Sequence, residues 1–285
     1  MSDSPVTTRF APSPTGRLHL GHAYSALFSC EVARHSGGRF LLRIEDIDFT
    51  RCRPEFEEGI LEDLAWLGLE WEASPRRQSE HLDDYRQVAD RLLEAGLLYP
   101  CFCTRKDILR EIERAGGAPH GVEGPLYPGT CRELPEEERR ARLAAGDDHA
   151  LRLNLARSRE RLEDAKLTWF DSFAGAIRAE PERLGDAVLA RKDIGTSYHL
   201  AVVADDALQG ITHVTRGKDL FESTHLHRLI QALLELPVPE YRHHDLVTDE
   251  SGRRLAKRDE SETLASLREA GESPEAVRRR LGFDF

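Results

Sequence analysis

Long apolar runs are missing from this sequence of 285 residues, and cysteine is scarce. No run approaches the ~20 apolar residues of a membrane-spanning helix. The amino terminus MSDSPVTTRF lacks the basic region, followed by an apolar one, that marks a secretory signal. The five cysteines are an odd number and unevenly placed, unlike the disulfide framework of a small secreted domain. We therefore expect a cytoplasmic protein with no membrane partner.

Positive charge is also in deficit, because 40 Lys and Arg stand against 51 Asp and Glu and leave a formal net charge of −11. This balance argues against strong non-specific binding to nucleic acid, so an RNA partner has to meet a local basic patch. With 40% hydrophobic and 32% charged residues, the chain has the composition of a globular protein. Its length allows one large domain, or one domain with an insertion.

The most informative stretch lies near the amino terminus, at residues 6–34. Val6–Ala11 is predicted as a short buried strand, followed by a turn rich in Pro and Gly and then by apolar residues with the spacing of a helix face. Unpaired amides at the start of such a helix favour an anion such as phosphate. His19, Gly21 and His22 lie in its first turn, where two imidazoles beside a bare backbone suit a nucleoside triphosphate. The alternative is two histidines without a function at a helix start.

A second predicted strand, Arg39–Asp48, ends in three acidic residues. Ligands of parallel α/β sheets gather at the carboxyl ends of the strands. Glu45 is therefore a candidate for binding a substrate ammonium group. The alternative is that Glu45, Asp46 and Asp48 are solvated loop acids.

The second informative block lies at residues 186–235, where Tyr198 begins a predicted helix and Ile211–Thr215 is a predicted strand. This strand delivers Arg216 at its carboxyl end, either as a ligand-binding cation or as a surface ion-pair partner. Further on, a basic loop contains Lys257, which is either solvated or binds phosphate.

Residues 101–131 are predicted to form an insertion with three clustered cysteines. Three thiolates could hold zinc, but a structural site needs a fourth ligand, and the usual C-x-x-C spacing is absent. His120 and Tyr127 are the candidates for that ligand, and idle free cysteines are the alternative. The cysteines are Cys101, Cys103 and Cys131, and a candidate RNA-contact patch in the same segment consists of Arg105, Lys106, Arg110 and Arg114.

Four motifs along nearly the whole chain resemble the glutamyl and glutaminyl group of class I aminoacyl-tRNA synthetases. Residues 10–16 followed by Leu18–His22 resemble the family's "HIGH" signature, and LRIEDID resembles the stretch LRxEDTD of glutamyl-tRNA synthetases. The block with Tyr198 and Arg216 resembles the second half of the family's catalytic domain. The loop RLAKR resembles its KMSKS loop with Lys257 as the second Lys, although Arg254 and Ala256 depart from that motif.

The resemblance implies an enzyme that activates glutamate with ATP, with Mg²⁺ on the phosphates, to give glutamyl-adenylate. It implies His19, Gly21, His22 and Lys257 as the ATP site, with His19, His22 and Lys257 catalytic. The implied glutamate site consists of Arg9, Phe10, Ala11, Pro12, Ser13, Glu45, Tyr198 and Arg216. Two Arg and one Glu match the two carboxylates and one ammonium group of glutamate.

The order Cys-x-Cys, then Tyr-x-x-x-Cys, resembles the zinc site of a short branch of this family, the glutamyl-Q tRNA(Asp) synthetases. There the Tyr is the fourth ligand, so the resemblance favours Tyr127 over His120 for a structural Zn²⁺. It also implies the queuosine base in the anticodon of tRNA(Asp) as the acceptor of glutamate. The alternatives are a truncated glutamyl-tRNA synthetase that charges tRNA(Glu), a small-molecule nucleotidylyltransferase, and a catalytically inactive RNA-binding paralogue.

The fold class expected from this resemblance is α/β, with a Rossmann-like parallel sheet and an inserted zinc-bearing subdomain. The catalytic domain is expected at residues 1–98 and 186–260, the insertion at 99–185 and carboxyl-terminal helices at 261–285. No anticodon-binding domain is expected after the Lys257 loop. We expect a monomer.

Overall fold

The computed structural model describes residues 5–114, 120–121, 124–163, 165–247 and 262–285. Its helices are α1 Leu20–His35, α2 Pro54–Trp66, α3 Leu82–Glu94, α4 Arg105–Arg114, α5 Glu136–Ala144, α6 Leu155–Arg161, α7 Tyr198–Leu208, α8 Ser223–Leu233, α9 Leu264–Glu269 and α10 Pro274–Arg280. Its strands are β1 Thr7–Phe10, β2 Arg39–Ile44, β3 Arg76–Arg77, β4 Leu98–Cys101, β5 His120–Gly121, β6 Gly124–Pro125, β7 Ala150–Leu153, β8 Thr168–Asp171, β9 Gly175–Arg178, β10 Val188–Ala190, β11 His213–Gly217 and β12 Glu240–His244. None of the helices in these ranges is long and apolar enough to cross a bilayer.

A parallel sheet built from two halves lies at the centre of the fold. In one half β2 pairs in parallel with both β1 and β3, and in the other β12 pairs in parallel with both β11 and β8. The halves meet where the Thr212 amide donates to the Thr7 carbonyl oxygen at 3.0 Å and the Thr7 amide donates to Thr212 Oγ1 at 2.8 Å. The strand order is therefore β3–β2–β1–β11–β12–β8, and the direction of chain connection reverses between β1 and β11. This reversal is the position at which doubly wound sheets bind nucleotides.

Strand β2 is shorter than its sequence predicts, because it ends at Ile44 and not at Asp48. The Glu45 amide leaves the ladder and donates to the Pro12 carbonyl oxygen at 2.9 Å. The three acids that follow Ile44 therefore lie beyond the sheet edge. Glu45 is held beside the turn that follows β1.

Helices cover both faces of this sheet, as the almost continuous burial of its strands requires. Helices α1, α2, α9 and α10 share one apolar cluster, which includes Leu27, Leu64 and Val277. Helices α3, α7 and α8 contribute to a second cluster, with Leu92 and Leu229 at its centre.

The carboxyl-terminal helices are tied to the start of α1. The Leu264 amide donates to the Leu18 carbonyl oxygen at 2.9 Å, directly before His19. Ser273 caps α10 by accepting from the Ala276 amide at 3.2 Å, and Pro274 occupies the first turn, where its missing N–H costs no hydrogen bond. The tail thus supports the segment in which the two predicted catalytic histidines lie.

A second, antiparallel sheet has the order β10–β7–β4 and carries Cys101 at the end of β4. The predicted insertion 99–185 does not coincide with this sheet. Strands β8 and β9 lie inside the predicted insertion but join the central sheet through β12, whereas β10, outside it, pairs with β7. The strands of the central sheet and those of the antiparallel sheet therefore alternate along this part of the sequence.

Candidate active site

A cleft of about 550 Å³ opens at the carboxyl ends of β1 and β11, where the strand order reverses. It brings together the predicted residues Arg9, Phe10, Ala11, Pro12, Ser13, His19, Gly21, His22, Glu45, Tyr198 and Arg216. Residues to which the sequence gave no role also line it: Ser25, Thr215, Gly217, Asp219, Leu220, His244, Leu246 and Val247. Lys257, Arg254 and Ala256 lie outside the described residues.

His19 and His22 cap the first turn of α1 reciprocally. His19 is the N-cap residue, and its Nδ1 accepts from the Gly21 amide at 3.1 Å. Nδ1 of His22 accepts from the His19 amide at 3.3 Å. In a neutral imidazole whose Nδ1 accepts, the proton is on Nε2. Each neutral ring therefore carries its proton on Nε2.

This capping changes one part of the sequence prediction. The amides of Gly21 and His22 are not left for an anion, since the former donates to His19 Nδ1 and the latter to the His19 carbonyl oxygen at 2.9 Å. The imidazoles take the place of unpaired amides at this helix start. An anion in the cleft would meet the imidazole rings of His19 and His22, whose tautomer is fixed by these capping hydrogen bonds.

Arg9 is buried and is held by a carboxylate. Its Nε donates to Asp206 Oδ1 at 2.9 Å, and its Nη1 donates to the Thr215 carbonyl oxygen at 3.2 Å. The same Asp206 oxygen accepts from Arg43 Nη2 at 2.8 Å. Burial disfavours the charged form of Asp206, but the charges of Arg9 and Arg43 outweigh burial, and the pKa of this carboxyl group is lowered.

Arg43 reaches from this ion pair to Glu45, with 3.4 Å between its Nη2 and Glu45 Oε1. Burial raises the pKa of Glu45, although Arg43 and Arg9 act in the opposite direction. Because burial disfavours the ionised form of Glu45, a positive charge placed beside it stabilises its carboxylate. Glu45 is therefore suited to a substrate ammonium group.

Asp205, the neighbour of Asp206 on α7, completes the buried charge network from the other side. It accepts from Arg76 Nε at 2.8 Å, from Gln78 Nε2 at 2.9 Å and from the Tyr85 hydroxyl at 2.9 Å. Sequence analysis missed Asp205 and Asp206. The available signal was two adjacent acids within the otherwise apolar helix segment LAVVADDAL.

Arg216 has a different environment from Arg9. Its guanidinium group donates to the Tyr198 hydroxyl at 3.1 Å, to Thr224 Oγ1 at 2.6 Å and to His243 Nε2 at 3.0 Å. These acceptors are a phenol, an alcohol and an imidazole. The positive charge of Arg216 is thus held by neutral groups at the cleft wall.

The three predicted cysteine ligands lie together at the edge of the second sheet, and their Sγ atoms are within 4.8 Å of one another. The Tyr127 oxygen lies 3.4 Å from Cys101 Sγ and 3.5 Å from Cys103 Sγ, and Cys103 Sγ lies 3.4 Å from Cys131 Sγ. Tetrahedral Zn²⁺ with metal–sulfur bonds of ~2.3 Å needs ligand separations of about 3.8 Å. Three sulfur atoms and one phenolic oxygen therefore have roughly the spacing of a closed zinc site.

The thiols of this cluster differ in acidity. Hydrogen bonds from Cys101 and Tyr127 lower the pKa of Cys131 to about 6. The hydrogen bond with Cys131, together with burial, raises the pKa of Cys101 to about 12. The side chain of His120, the other predicted fourth ligand, lies outside the description. In the basic patch, Arg105, Lys106 and Arg110 are exposed, and the Arg114 side chain is likewise outside the description.

The fold and this cleft define a class I synthetase catalytic domain. Residues 5–284 match the family of tRNA synthetases class I (E and Q), catalytic domain, and the chain belongs to that family. A solved glutamate tRNA ligase from Elizabethkingia meningosepticum, in complex with its amino acid, superposes with a TM-score of 0.82 at 31% identity. That match covers 98% of this chain and 60% of the ligase.

Within the family, the chain is similar to proteins named Glutamyl-Q tRNA(Asp) synthetase. It is 48% identical to that of Rhodobacter capsulatus, over 97% of this chain and 100% of the relative, and 46% identical to that of Symbiobacterium thermophilum, over 96% and 85%. It is 42% identical to the Glutamate--tRNA ligase of Aquifex aeolicus, over 96% of this chain but 56% of the ligase. The family and the α/β fold inferred from the motifs are thereby confirmed.

Asp206→Asn is expected to destabilise the protein by about 3 kcal/mol, because two buried guanidinium groups lose the carboxylate that they share. The free energy of unfolding in urea measures this loss. Asp83→Asn is the control, since Asp83 pairs with Arg86 on an exposed surface and such pairs contribute little. An Asp206 variant as stable as the Asp83 variant would contradict the role of the ion pair.

The pH dependence has a defined sign. A lowered carboxyl pKa stabilises the fold above the unfolded value of about 3.9, and the stabilisation is lost as the pH falls through the folded pKa. The difference between wild type and Asp206→Asn should therefore be full at pH 7 and shrink below about pH 4. A difference that is unchanged by acidification would contradict this assignment.

Proposed function

We propose that this enzyme activates glutamate with ATP and transfers it to the queuosine base in the anticodon of tRNA(Asp). The observation that carries the proposal is the set of charged and imidazole side chains that line one cleft, which includes Arg9, Arg216 and Glu45 together with His19 and His22. Two cations and one anion complement the two carboxylates and the ammonium group of glutamate. The names of the most similar relatives support the choice of acceptor.

The first step is attack of a glutamate α-carboxylate oxygen on the α-phosphorus of ATP. The bond from that phosphorus to the bridging oxygen of the β-phosphate breaks, and pyrophosphate leaves with the electron pair. Glu45 holds the ammonium group and the two arginines hold the carboxylates, so the reacting atoms meet in a fixed geometry. Ser13 and Tyr198 supply neutral hydrogen bonds. Mg²⁺ carried with ATP neutralises phosphate charge.

His19 and His22 stabilise charge that builds on the phosphoryl oxygens. The capping hydrogen bonds keep Nδ1 of each ring as an acceptor and the proton on Nε2. A donor that is already oriented does not need to reorganise during the reaction. Lys257 is proposed to neutralise the departing pyrophosphate, as the resemblance of its loop implies.

In the second step a hydroxyl oxygen of the queuosine base attacks the activated carbonyl carbon of glutamyl-adenylate. The bond from that carbon to the phosphate oxygen breaks, AMP leaves with the electron pair, and the hydroxyl proton is released to solvent. No covalent enzyme intermediate is needed. The exposed Arg105, Lys106 and Arg110 on α4 are a proposed contact surface for the RNA backbone. We further propose that the enzyme acts as a monomer in the cytoplasm, where tRNA and ATP are found.

We retain the domain division as a proposal: a catalytic part at 1–98 and 186–260, an inserted part at 99–185, and carboxyl-terminal helices at 261–285. Strands β8 and β9 belong to the inserted part by their position in the sequence, although they pair with the catalytic sheet.

The acceptor is tested by transfer of labelled glutamate, with ATP, onto tRNA from cells that make queuosine and from cells that cannot. We expect label on tRNA(Asp) from the first source alone, because the second lacks the acceptor base. Label on tRNA(Glu) from both sources would contradict the proposed acceptor and indicate a conventional synthetase.

His19→Ala is expected to reduce kcat of glutamate-dependent ATP–pyrophosphate exchange by about 10²- to 10³-fold, as does loss of one oriented donor to a developing anion. The matched variant is His19→Asn, whose side chain can still cap α1 but cannot reach as far as Nε2. Both variants should show the reduced kcat of exchange. The His19→Asn variant should be more stable than the His19→Ala variant, because it keeps the helix cap. Exchange within threefold of wild type in either variant would contradict this role.

We also propose one structural Zn²⁺ per chain, held by Cys101, Cys103, Cys131 and Tyr127. The support is the spacing of the four ligand atoms and the lowered pKa of Cys131, since zinc binds thiolates. When bound, the ion would hold together the small apolar cluster of Tyr99, Phe102 and these cysteines.

Zinc content by plasma emission spectroscopy is expected to be about one per chain in the wild type. Cys131→Ser should lower the metal content and the melting temperature, because a soft thiolate ligand is lost. Cys30→Ser is the control for metal content, since Cys30 lies on α1 outside the cysteine cluster and its loss should leave the zinc content unchanged. Metal-free wild-type protein that gains no stability on addition of zinc would contradict the site.

A further inference from the structure

Behind Arg216, away from the cleft, lies a buried pair of residues to which the proposed reaction assigns no role. His243 is on β12 and Asp171 ends β8, and each is 1% exposed. Neither belongs to the residues that line the cleft. The three residues form a chain of hydrogen bonds. His243 Nε2 accepts from Arg216 Nε at 3.0 Å, and His243 Nδ1 lies 2.8 Å from Asp171 Oδ2.

The direction of these hydrogen bonds is determined by Arg216. A guanidinium group can only donate, so His243 Nε2 has to be the acceptor. The proton of the neutral ring is then on Nδ1, and Nδ1–H donates to Asp171. Thr224 Oγ1 lies 3.3 Å from the same Nε2 atom and also accepts from Arg216 Nη2 at 2.6 Å.

Asp171 is itself held rigidly. Its Oδ2 also accepts from the His243 amide at 3.1 Å, so one carboxylate oxygen contacts both the ring and the backbone of His243. Its Oδ1 accepts from the amides of Phe173 and Ala174 at 2.9 and 3.0 Å, within the β8–β9 turn. Because both oxygens accept hydrogen bonds, the orientation of the Asp171 carboxylate is fixed.

The ring of His243 is also fixed by packing. Tyr241 stacks parallel to it at 5.8 Å, and Phe221 and Trp169 meet it edge to face at 5.0 and 5.8 Å. Burial and the nearby charge of Arg216 lower the pKa of His243 to about 3, so the ring is neutral at physiological pH. It can therefore accept from Arg216 without adding a second positive charge.

We propose that Asp171 and His243 are positioning residues that aim Arg216 at a substrate carboxylate. Asp171 sets the tautomer of His243, and His243 holds the guanidinium group as a neutral acceptor. Arg9 is aimed by the charged Asp206, whereas Arg216 is aimed by this neutral contact and keeps its full charge for the ligand. The inference rests on the proposed binding of glutamate in the cleft.

The test compares His243→Leu, His243→Gln and Asp171→Asn in the full chain, by glutamate-dependent ATP–pyrophosphate exchange and by calorimetric titration with glutamate. His243→Leu should raise KM and Kd for glutamate about tenfold or more, since a hydrogen bond to a charged group is lost. Its KM for ATP should stay within about twofold. A loss of fold alone would lower activity without this split between the substrates.

The other variants separate positioning from packing. His243→Gln offers an amide oxygen to Arg216 and should restore most of the glutamate affinity. Asp171→Asn places an amide N–H group against either His243 Nδ1–H or the amides of the β8–β9 turn. Because these groups are themselves donors, the change should weaken glutamate binding in the protein that retains His243. In the His243→Gln protein the same change should have a smaller effect, because no imidazole tautomer remains to be set.

The control is His225→Leu, because His225 is also buried and also packs edge to face against Trp169, at 5.7 Å. It accepts from the Glu180 amide at 2.9 Å instead of from Arg216. Its glutamate KM should equal that of wild type. Unchanged glutamate binding in His243→Leu would overturn the inference, as would a His243→Gln variant as impaired as His243→Leu. A wild type that neither binds nor activates glutamate would refute the proposed function instead.

Discussion

The buried carboxylate of Asp206 is the constraint on which the geometry of the cleft depends. It joins Arg9 on β1 and Arg43 on β2 to α7, the helix that begins with Tyr198. Burying two guanidinium groups without a counter-ion would cost several kcal/mol, so the three elements are bound to one another through this charge. Asp205 extends the same constraint to Arg76 on β3. Ion pairs thus hold together the edge of the parallel sheet that borders the cleft.

The two arginines of the cleft are therefore not equivalent. Arg9 shares the carboxylate of Asp206 with Arg43, so one negative charge faces two guanidinium groups. Arg216 contacts a phenol, an alcohol and imidazoles, and it keeps its charge. Glu45 complements this arrangement, because burial raises its pKa and makes an incoming ammonium group favourable. Arginine side chains and a buried glutamate that line the same cleft suit a zwitterionic ligand with an additional carboxylate.

Much of this arrangement could be predicted from the sequence, because local patterns determine it. Local patterns predict the strand, turn and helix around His19 and His22. They also place Arg9, Glu45 and Arg216 near the ends of strands. The partners of those residues could not be predicted in the same way. Asp206 contacts Arg9 across 197 positions of sequence, and Asp171 contacts His243 across 72.

The details of hydrogen bonding were also beyond the sequence. The spacing of His19 and His22 correctly indicates a shared helix start, but it does not reveal that each ring takes up a backbone amide. The pairing of β8 and β9 with the central sheet could not be predicted for a similar reason. Strands β8 and β9 read as part of an insertion, whereas strand pairing depends on neighbours that are distant in the chain.

We propose that the charge pattern of the cleft selects glutamate for reaction with ATP. The most direct measurement is ATP–pyrophosphate exchange, with tRNA present, using glutamate, glutamine and aspartate in parallel. Exchange should be strong with glutamate, absent with glutamine, which lacks the second charge, and weaker by about 10- to 200-fold with aspartate, which is one methylene shorter. Equal exchange with glutamine, or no exchange with glutamate, would contradict the account.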